Sequence, residues 1–148
     1  MLRLQKILHP TDFSDPAREA FRLACALARH YHAEIVILHV AAPPPVVAYG
    51  EVVPTVSHPP GYHDWLWQEL RKIQPDDPAL TVSYQLLEGD AAKEIVKFAQ
   101  QMGADLIVMG THGRTGLMHL LMGSVAEEVV RHATCPVLTV RAKRQPSG

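Results

Sequence analysis

The residues with the clearest capacity for chemistry lie at positions 109–128, where a glycine-rich segment follows a short apolar run. Glycine lets the backbone adopt positive φ and approach a ligand closely. The N-terminus of a helix offers unpaired N–H groups at the positive end of the helix dipole. A segment in which an apolar strand leads into a glycine loop and then into the N-terminus of a helix is therefore suited to binding phosphate. The segment contains four glycines, Gly110, Gly113, Gly116 and Gly123, and Ser124 follows the last of them directly.

Side-chain charge is sparse in this loop, which carries one arginine, Arg114, and two histidines, His112 and His119. A bound anion would depend on backbone N–H groups more than on cationic side chains. No glycine of the chain precedes a lysine, and no two glycines are separated by a single residue. The loop is therefore neither a Walker A loop nor a GxGxxG dinucleotide fingerprint.

The elements that must position this loop follow from the apolar pattern. β-Branched and apolar runs predict five strands, at residues 2–8, 33–40, 80–87, 105–109 and 137–140. Helical spacing of apolar residues predicts four helices: one after the N-cap Ser14, others at 62–73 and 124–132, and one between Asp90 and Gly103. Strands alternating with helices over 148 residues indicate one α/β domain, with a doubly wound parallel sheet and helices on both faces.

In a sheet of this kind, ligands bind beyond the C-terminal strand ends at the point where the strand order reverses. The first strand is followed by Pro10, Thr11 and Asp12, and the fourth leads into Met109 and Gly110. If these two strands are neighbours, Asp12 faces the glycine loop across one crevice. The pattern by itself does not establish that they are neighbours.

Two segments are predicted to be irregular. Residues 41–61 contain six prolines and two glycines, which exclude a long helix or a central strand. A loop of this length is either functional, as a lid would be, or a variable surface insertion. Residues 142–148 are predicted to form a frayed polar tail.

Composition excludes several classes of function. The chain is 47% hydrophobic and 20% charged, as in an ordinary globular domain, and its net charge of −1 argues against general nucleic-acid binding. No apolar run approaches the roughly 18 residues of a membrane span, and the first ten residues lack the apolar core of a signal peptide. Cys25 and Cys135 form neither a CxxC motif nor a metal-binding spacing. We expect a reduced, cytoplasmic protein that binds neither nucleic acid nor membrane.

The glycine loop is not accompanied by an evident catalytic group. It lacks a P-loop lysine, and the fourth strand ends at Met109 without a carboxylate for a metal. Motifs of the GxSxG and HExxH types are absent from the chain. We therefore expect no enzyme activity beyond slow ATP hydrolysis. The same residues also have purely structural interpretations: the glycines can serve a tight turn, and Ser124 with Glu127 can form a capping box.

The spacing Gly110-x2-Gly113-x9-Gly123-Ser124 resembles the nucleotide-binding motif of the universal stress protein family, in its ATP-binding branch. The resemblance extends over nearly the whole chain. It includes KILHPTDFSDPAREA near the start, EGDAAKEIVKFAQQMGADLIVMGTHG before the loop and GSVAEEVVRHATCPVLTV after it. Similarity to this family implies the strand order 3-2-1-4-5, which makes the first and fourth strands neighbours.

The resemblance also implies a role for each matching residue. It places adenosine against Pro10, Thr11 and Asp12, with Val40 beside the adenine. Met109 and Gly110 would flank the ribose. The phosphates would be surrounded by His112, Gly113, Gly123, Ser124 and Val125. The implied cofactor is ATP with Mg2+ or Mn2+ on its phosphates, and the implied partner is a second copy of the chain.

The last predicted strand, at residues 137–140, gives a physical motive for such a homodimer, because an exposed apolar sheet edge tends to pair. The implied function is a stress-response switch or sensor that depends on ATP. Two alternatives remain open at this point. One is a protein-interaction module with an empty crevice, and the other is a sensor of AMP or a cyclic nucleotide.

Overall fold

A computed structural model describes residues 3–44, 50, 57–112 and 122–142. Its sheet contains five parallel strands: β1 (Lys6–Pro10), β2 (Glu34–Ala41), β3 (Val82–Glu88), β4 (Leu106–Gly110) and β5 (Val137–Val140). Four helices connect them: α1 (Asp15–Tyr31), α2 (Tyr62–Arg71), α3 (Ala91–Met102) and α4 (Ser124–His132). The strand order is 3-2-1-4-5. The predicted fold class and strand order are both confirmed.

The sheet is covered on both faces, as predicted. Helices α1 and α2 pack on one face, where the alanine stripe of α1 and Leu70 of α2 meet Ile7, Ile35 and Val108 of the strands. Helices α3 and α4 pack on the other face, where Leu8 and Ile107 are among the strand residues they cover. Side chains of the central strands alternate between these two cores because successive strand residues point to opposite faces.

Local signals in the sequence explain where α1 begins and where α3 begins and ends. The Ser14 side chain accepts a hydrogen bond from the N–H of Ala17 at 3.3 Å, which caps α1. Asp90 caps α3 in the same way through the N–H of Lys93, and Gly103 closes that helix with a φ of 69°. Each of these residues satisfies a backbone group that the helix leaves unpaired.

Several boundaries differ from those predicted. Strand β1 does not stop at Leu8 but continues through His9 to Pro10, which lies opposite Leu38 of β2. Proline has no N–H to offer a neighbouring strand, so a strand end was expected before it. The ladder is maintained by the next residue, because the N–H of Thr11 donates to the Leu38 carbonyl at 2.8 Å. Helix α2 also ends at Arg71, two residues earlier than predicted.

Some sequence predictions fall outside the described residues. These are the conformation of Gly113 and Gly116, most of the proline-rich segment and the tail beyond residue 142. Within the described ranges, no helix has both the length and the apolar character needed to cross a membrane.

Candidate functional site

A cavity of about 300 Å³ opens at the C-terminal edge of the sheet, where β1 and β4 lie side by side. Ten of the eleven residues predicted for the site line it, and the eleventh, Gly113, lies outside the described residues. The ten are Pro10, Thr11, Asp12, Val40, Met109, Gly110, His112, Gly123, Ser124 and Val125. The fold therefore brings the two separate sequence segments and Val40 together at one crevice.

The turn after β1 is held by its own side chains. The Thr11 hydroxyl accepts the N–H of Phe13 at 3.1 Å, and Asp12 Oδ1 accepts the N–H of Ser14 at 3.0 Å. Between these bonds, Phe13 adopts a φ of 65°, which is uncommon for a bulky residue. Strained backbone of this kind is concentrated at functional sites, where the surrounding contacts maintain it. The turn keeps Asp12 at the cavity wall.

His39 of β2 supports the same turn and also lines the cavity. Its Nδ1–H donates to the Thr11 carbonyl at 2.8 Å, and its ring lies against Phe13 with the centroids 4.5 Å apart. The bond to a carbonyl requires the proton on Nδ1. The position of His39 inside the apolar run 33–40 favours a satisfied core or edge histidine, and its hydrogen bond agrees with that interpretation. The structure adds that the residue it satisfies belongs to the cavity.

Gly110 at the end of β4 is pressed against the start of α1. A β-carbon at this position would lie 2.9 Å from Pro16 Cβ and 3.0 Å from the Pro16 carbonyl carbon. Both distances are shorter than van der Waals contact, and the carbonyl carbon belongs to the backbone. The glycine therefore allows β4 and α1 to approach closely beside the cavity.

We expect Gly110→Ala to lower the free energy of unfolding by about 1–3 kcal/mol, the usual cost of overpacking a closed contact. The added methyl group must push the first turn of α1 away from β4, because the backbone of Pro16 cannot rotate aside. Denaturant unfolding followed by circular dichroism measures this change. Unchanged stability would show that the start of α1 moves freely, contrary to this packing.

The N-terminus of α4 opens into the cavity without a side-chain cap. Gly123 occupies the N-cap position with φ −73° and ψ 165°, and the structure gives the cap no side-chain hydrogen bond. Ser124 is the first residue of the helix, so the alternative interpretation of Ser124 and Glu127 as a capping box does not hold. A capping serine has to stand one residue before the helix. The residues whose N–H groups have no partner within α4 are Ser124, Val125 and Ala126, and all three line the cavity.

Thr111 and His112 connect β4 to the glycine loop. The buried Thr111 carbonyl accepts the N–H of Gly123 at 2.6 Å, which ties the start of α4 to the end of β4. The Thr111 hydroxyl and His112 Nδ1 are 3.0 Å apart. His112 Nε2 is shielded from solvent and has no hydrogen-bond partner in the described part of the chain. A polar atom of this kind in a cavity wall can bind a polar ligand.

Sequence reasoning missed seven residues of the cavity wall. Most are small or apolar residues, and no local signal distinguishes them from the other small or apolar residues of the predicted strands and helices. Thr111 was detectable, because it lies between the predicted Gly110 and His112. The seven are Ala17, Leu38, His39, Ala91, Ile95, Thr111 and Ala126.

The charge of the cavity is consistent with binding through backbone groups. Among its described lining residues, Asp12 is the one carboxylate, and neither lysine nor arginine is present. The described residues also include no cluster of three histidine, cysteine or acidic side chains that could hold a metal ion. The wall instead offers apolar surface at one end and helix N–H groups at the other.

Comparison with known proteins relates this chain and its fold to one family. Residues 3–141 match the model of the universal stress protein family. Universal stress protein MJ0531 of Methanocaldococcus jannaschii is 38% identical over 148 residues, an alignment covering 95% of this chain and 84% of that protein.

Two solved structures share the architecture. The structure of MJ0577 from Methanocaldococcus jannaschii superposes with a TM-score of 0.75 at 29% identity, covering 97% of this chain and 99% of that one. A universal stress protein from Archaeoglobus fulgidus in complex with dAMP has a TM-score of 0.63 at 20% identity, covering 95% and 99%. The matched family model spans nearly the whole described chain, and the present chain belongs to the universal stress protein family.

Proposed function

We propose that this protein binds ATP in the cavity and acts as a nucleotide-dependent switch or sensor in a stress response. The observation that carries the proposal is the uncapped N-terminus of α4, which faces the same cavity as Asp12. In α1 and α3 one N–H of the first turn donates to a capping side chain, Ser14 or Asp90, whereas α2 begins, like α4, at a glycine without a side-chain cap. In α4 the equivalent groups lie at a cavity wall, where phosphate oxygens are suitable acceptors.

The opposite end of the cavity suits adenosine. Val40 and Met109 provide apolar contact for a flat base, and Asp12 provides a carboxylate that can accept hydrogen bonds from amino or hydroxyl groups. The nucleotide would then extend from the β1 turn, past Gly110, to the start of α4. The complex of the Archaeoglobus fulgidus protein with dAMP supports an adenine nucleotide as the ligand class.

The proposed role is binding, with at most slow hydrolysis. The described part of the cavity wall carries no lysine or arginine to stabilise the charge that develops in phosphoryl transfer. A Mg2+ or Mn2+ ion, if it accompanies ATP, would be held mainly by the phosphates, because the described residues form no metal cluster. A change of state on binding, rather than turnover, is therefore the proposed output.

Calorimetric titration with ATP and Mg2+, repeated with AMP, tests this proposal. We expect ATP to bind at least about tenfold more tightly than AMP, because charge-assisted hydrogen bonds from the α4 N–H groups contribute roughly 1.5–3 kcal/mol each. Equal affinities would place recognition on adenosine alone, and the AMP or cyclic-nucleotide sensor would replace the ATP switch. No heat with either nucleotide would favour a protein-interaction module with a structural glycine loop.

We also propose a cytoplasmic homodimer that pairs along β5. This strand ends the described sheet, next to β4 alone, and its four residues are half-buried. Pairing with a second copy would cover this edge. Light scattering at micromolar concentration should give twice the mass of the 16.4 kDa chain. A monomer mass at that concentration would contradict the dimer without affecting the nucleotide proposal.

A further inference from the structure

A second cavity lies on the other side of the β1 turn, in the groove between α1 and the C-terminal end of α2. Its volume is about 560 Å³, and the segment from Ile73 to Asp76 forms one wall. Helix α1 forms the opposite wall. Thr11 and Ala17 belong to the walls of both cavities, so the groove and the nucleotide site are separated by a single layer of residues.

His9 at the floor of this groove has an unsatisfied acceptor. The residue is completely buried, and its Nδ1–H donates to the Val108 carbonyl at 2.9 Å. That bond leaves Nε2 as the unprotonated nitrogen. Nε2 is shielded from solvent and has no hydrogen-bond partner in the described chain. Burial also lowers the pKa of His9 from 6.5 to about 4, so the ring is neutral at pH 7. A hydroxyl or N–H group reaching Nε2 would complete its hydrogen bonding.

The walls above His9 are apolar. Phe21 lies beside its ring, with the centroids 5.5 Å apart, and Phe13 and Ile73 also line the groove. Cys25 adds a buried thiol, and burial raises its pKa to about 11, so that it remains uncharged. The middle of the groove is therefore suited to an apolar or aromatic group.

The rim of the groove is rich in cations. Four basic side chains line it, and each forms an ion pair with a nearby carboxylate: Arg18, Arg22, Arg29 and Lys72. All four basic side chains are more than half exposed. Exposed pairs contribute little stability, so these groups can exchange their partners for another anion at small cost. Two carboxylates, Glu69 and Asp76, also line the groove, and basic groups outnumber acidic ones in its wall.

We propose that this groove is a second binding site, for a small amphipathic acid. The ligand class has a hydroxyl or N–H donor for His9 Nε2, an apolar body against Phe21 and Ile73, and a carboxylate for the basic rim. The proposal rests on this groove alone and stands whether or not ATP binds at the first cavity.

A matched pair of probes tests the inner hydrogen bond. We expect 3-(4-hydroxyphenyl)propionate to bind about tenfold more tightly than 3-phenylpropionate, because the second molecule leaves His9 Nε2 unpaired. Titrations of the wild-type protein followed by NMR give both affinities. The Ile73 methyl resonance should shift, whereas that of Met109, which lines the first cavity, should not. The proposal would be overturned by equal affinities of the two probes or by a resonance shift confined to Met109. Absence of binding at millimolar probe concentration would overturn it as well.

Variants of the protein test where the probes bind. Ala26 is exposed on α1 and lines the groove. Ala26→Trp should therefore block the groove and lower the affinity for 3-(4-hydroxyphenyl)propionate at least about tenfold. The matched control is Gln100→Trp at an exposed position of α3, which should leave binding unchanged. In a folded His9→Phe variant the two probes should bind equally. If that variant does not fold, the probe pair and Ala26→Trp still decide the question. Undiminished binding to Ala26→Trp would place the probe elsewhere and refute the assignment.

Discussion

Ser124→Pro is expected to weaken ATP binding by about 10- to 100-fold while the fold is retained, since a charge-assisted hydrogen bond contributes roughly 1.5–3 kcal/mol. Ser124 is the first residue of α4, a position where proline is well tolerated. The preceding Gly123 has φ −73° and ψ 165°, a conformation that a following proline permits. The substitution removes the N–H and the hydroxyl together, and its ring occupies space at the cavity wall. Calorimetric titration with ATP and Mg2+ measures the loss.

Two companion variants separate the causes. Ser124→Ala removes the hydroxyl alone and should weaken ATP binding less than the proline variant does. Asp15→Pro places proline at the first position of α1, after Ser14 in a similar extended conformation and outside the lining of the cavity. It should leave the affinity for ATP unchanged. If Ser124→Pro bound ATP as tightly as the wild type, the start of α4 would not be the phosphate site.

The second large effect concerns stability against acid. Burial lowers the pKa of His9 from 6.5 to about 4, opposed in part by its bond to the Val108 carbonyl and by Asp12. Between these two values the unfolded chain binds a proton that the folded protein excludes, so stability falls as the pH falls. This one residue should therefore remove about 3 kcal/mol of folding free energy between pH 7 and pH 4. The effect is absent above pH 6.5 and levels off below about pH 4.

Comparison with His9→Phe isolates this contribution. The variant leaves the Val108 carbonyl without its donor and should be less stable than the wild type at pH 7. Carboxylates titrate in both proteins, so the difference between them reports the histidine. The stability gap should shrink by about 3 kcal/mol on going from pH 7 to pH 4, as measured by urea unfolding at a series of pH values. A gap that does not change with pH would mean that His9 accepts a proton in the folded protein.

Much of the fold could be predicted from local sequence signals. Apolar periodicity identified all nine helices and strands described here, and α4 and β5 were predicted with their observed bounds. Ser14, Asp90 and Gly103 were recognised as helix-terminal residues because capping depends on a few consecutive positions. The predicted ends of helices and strands were wrong where tertiary contacts overrode the conformational preference of the local sequence. Pro10 remains in β1 because it pairs with Leu38 of β2, and the N–H of the following Thr11 donates to the Leu38 carbonyl.

The glycine pattern predicted a phosphate-bearing ligand, which stays a prediction, and the cavity is lined by every described residue that the pattern and the family resemblance named. The adjacency of β1 and β4 did not follow from the pattern, because crossovers through helices let the same elements form several strand orders. Only the tertiary structure placed His39 under the Thr11 turn and put Ser124 inside α4 rather than at its cap. Only the tertiary structure buried His9 Nε2 without a hydrogen-bond partner among the described residues. Periodicity and capping are properties of neighbouring residues, whereas these contacts join strands and helices that are far apart in the chain, and packing decides them.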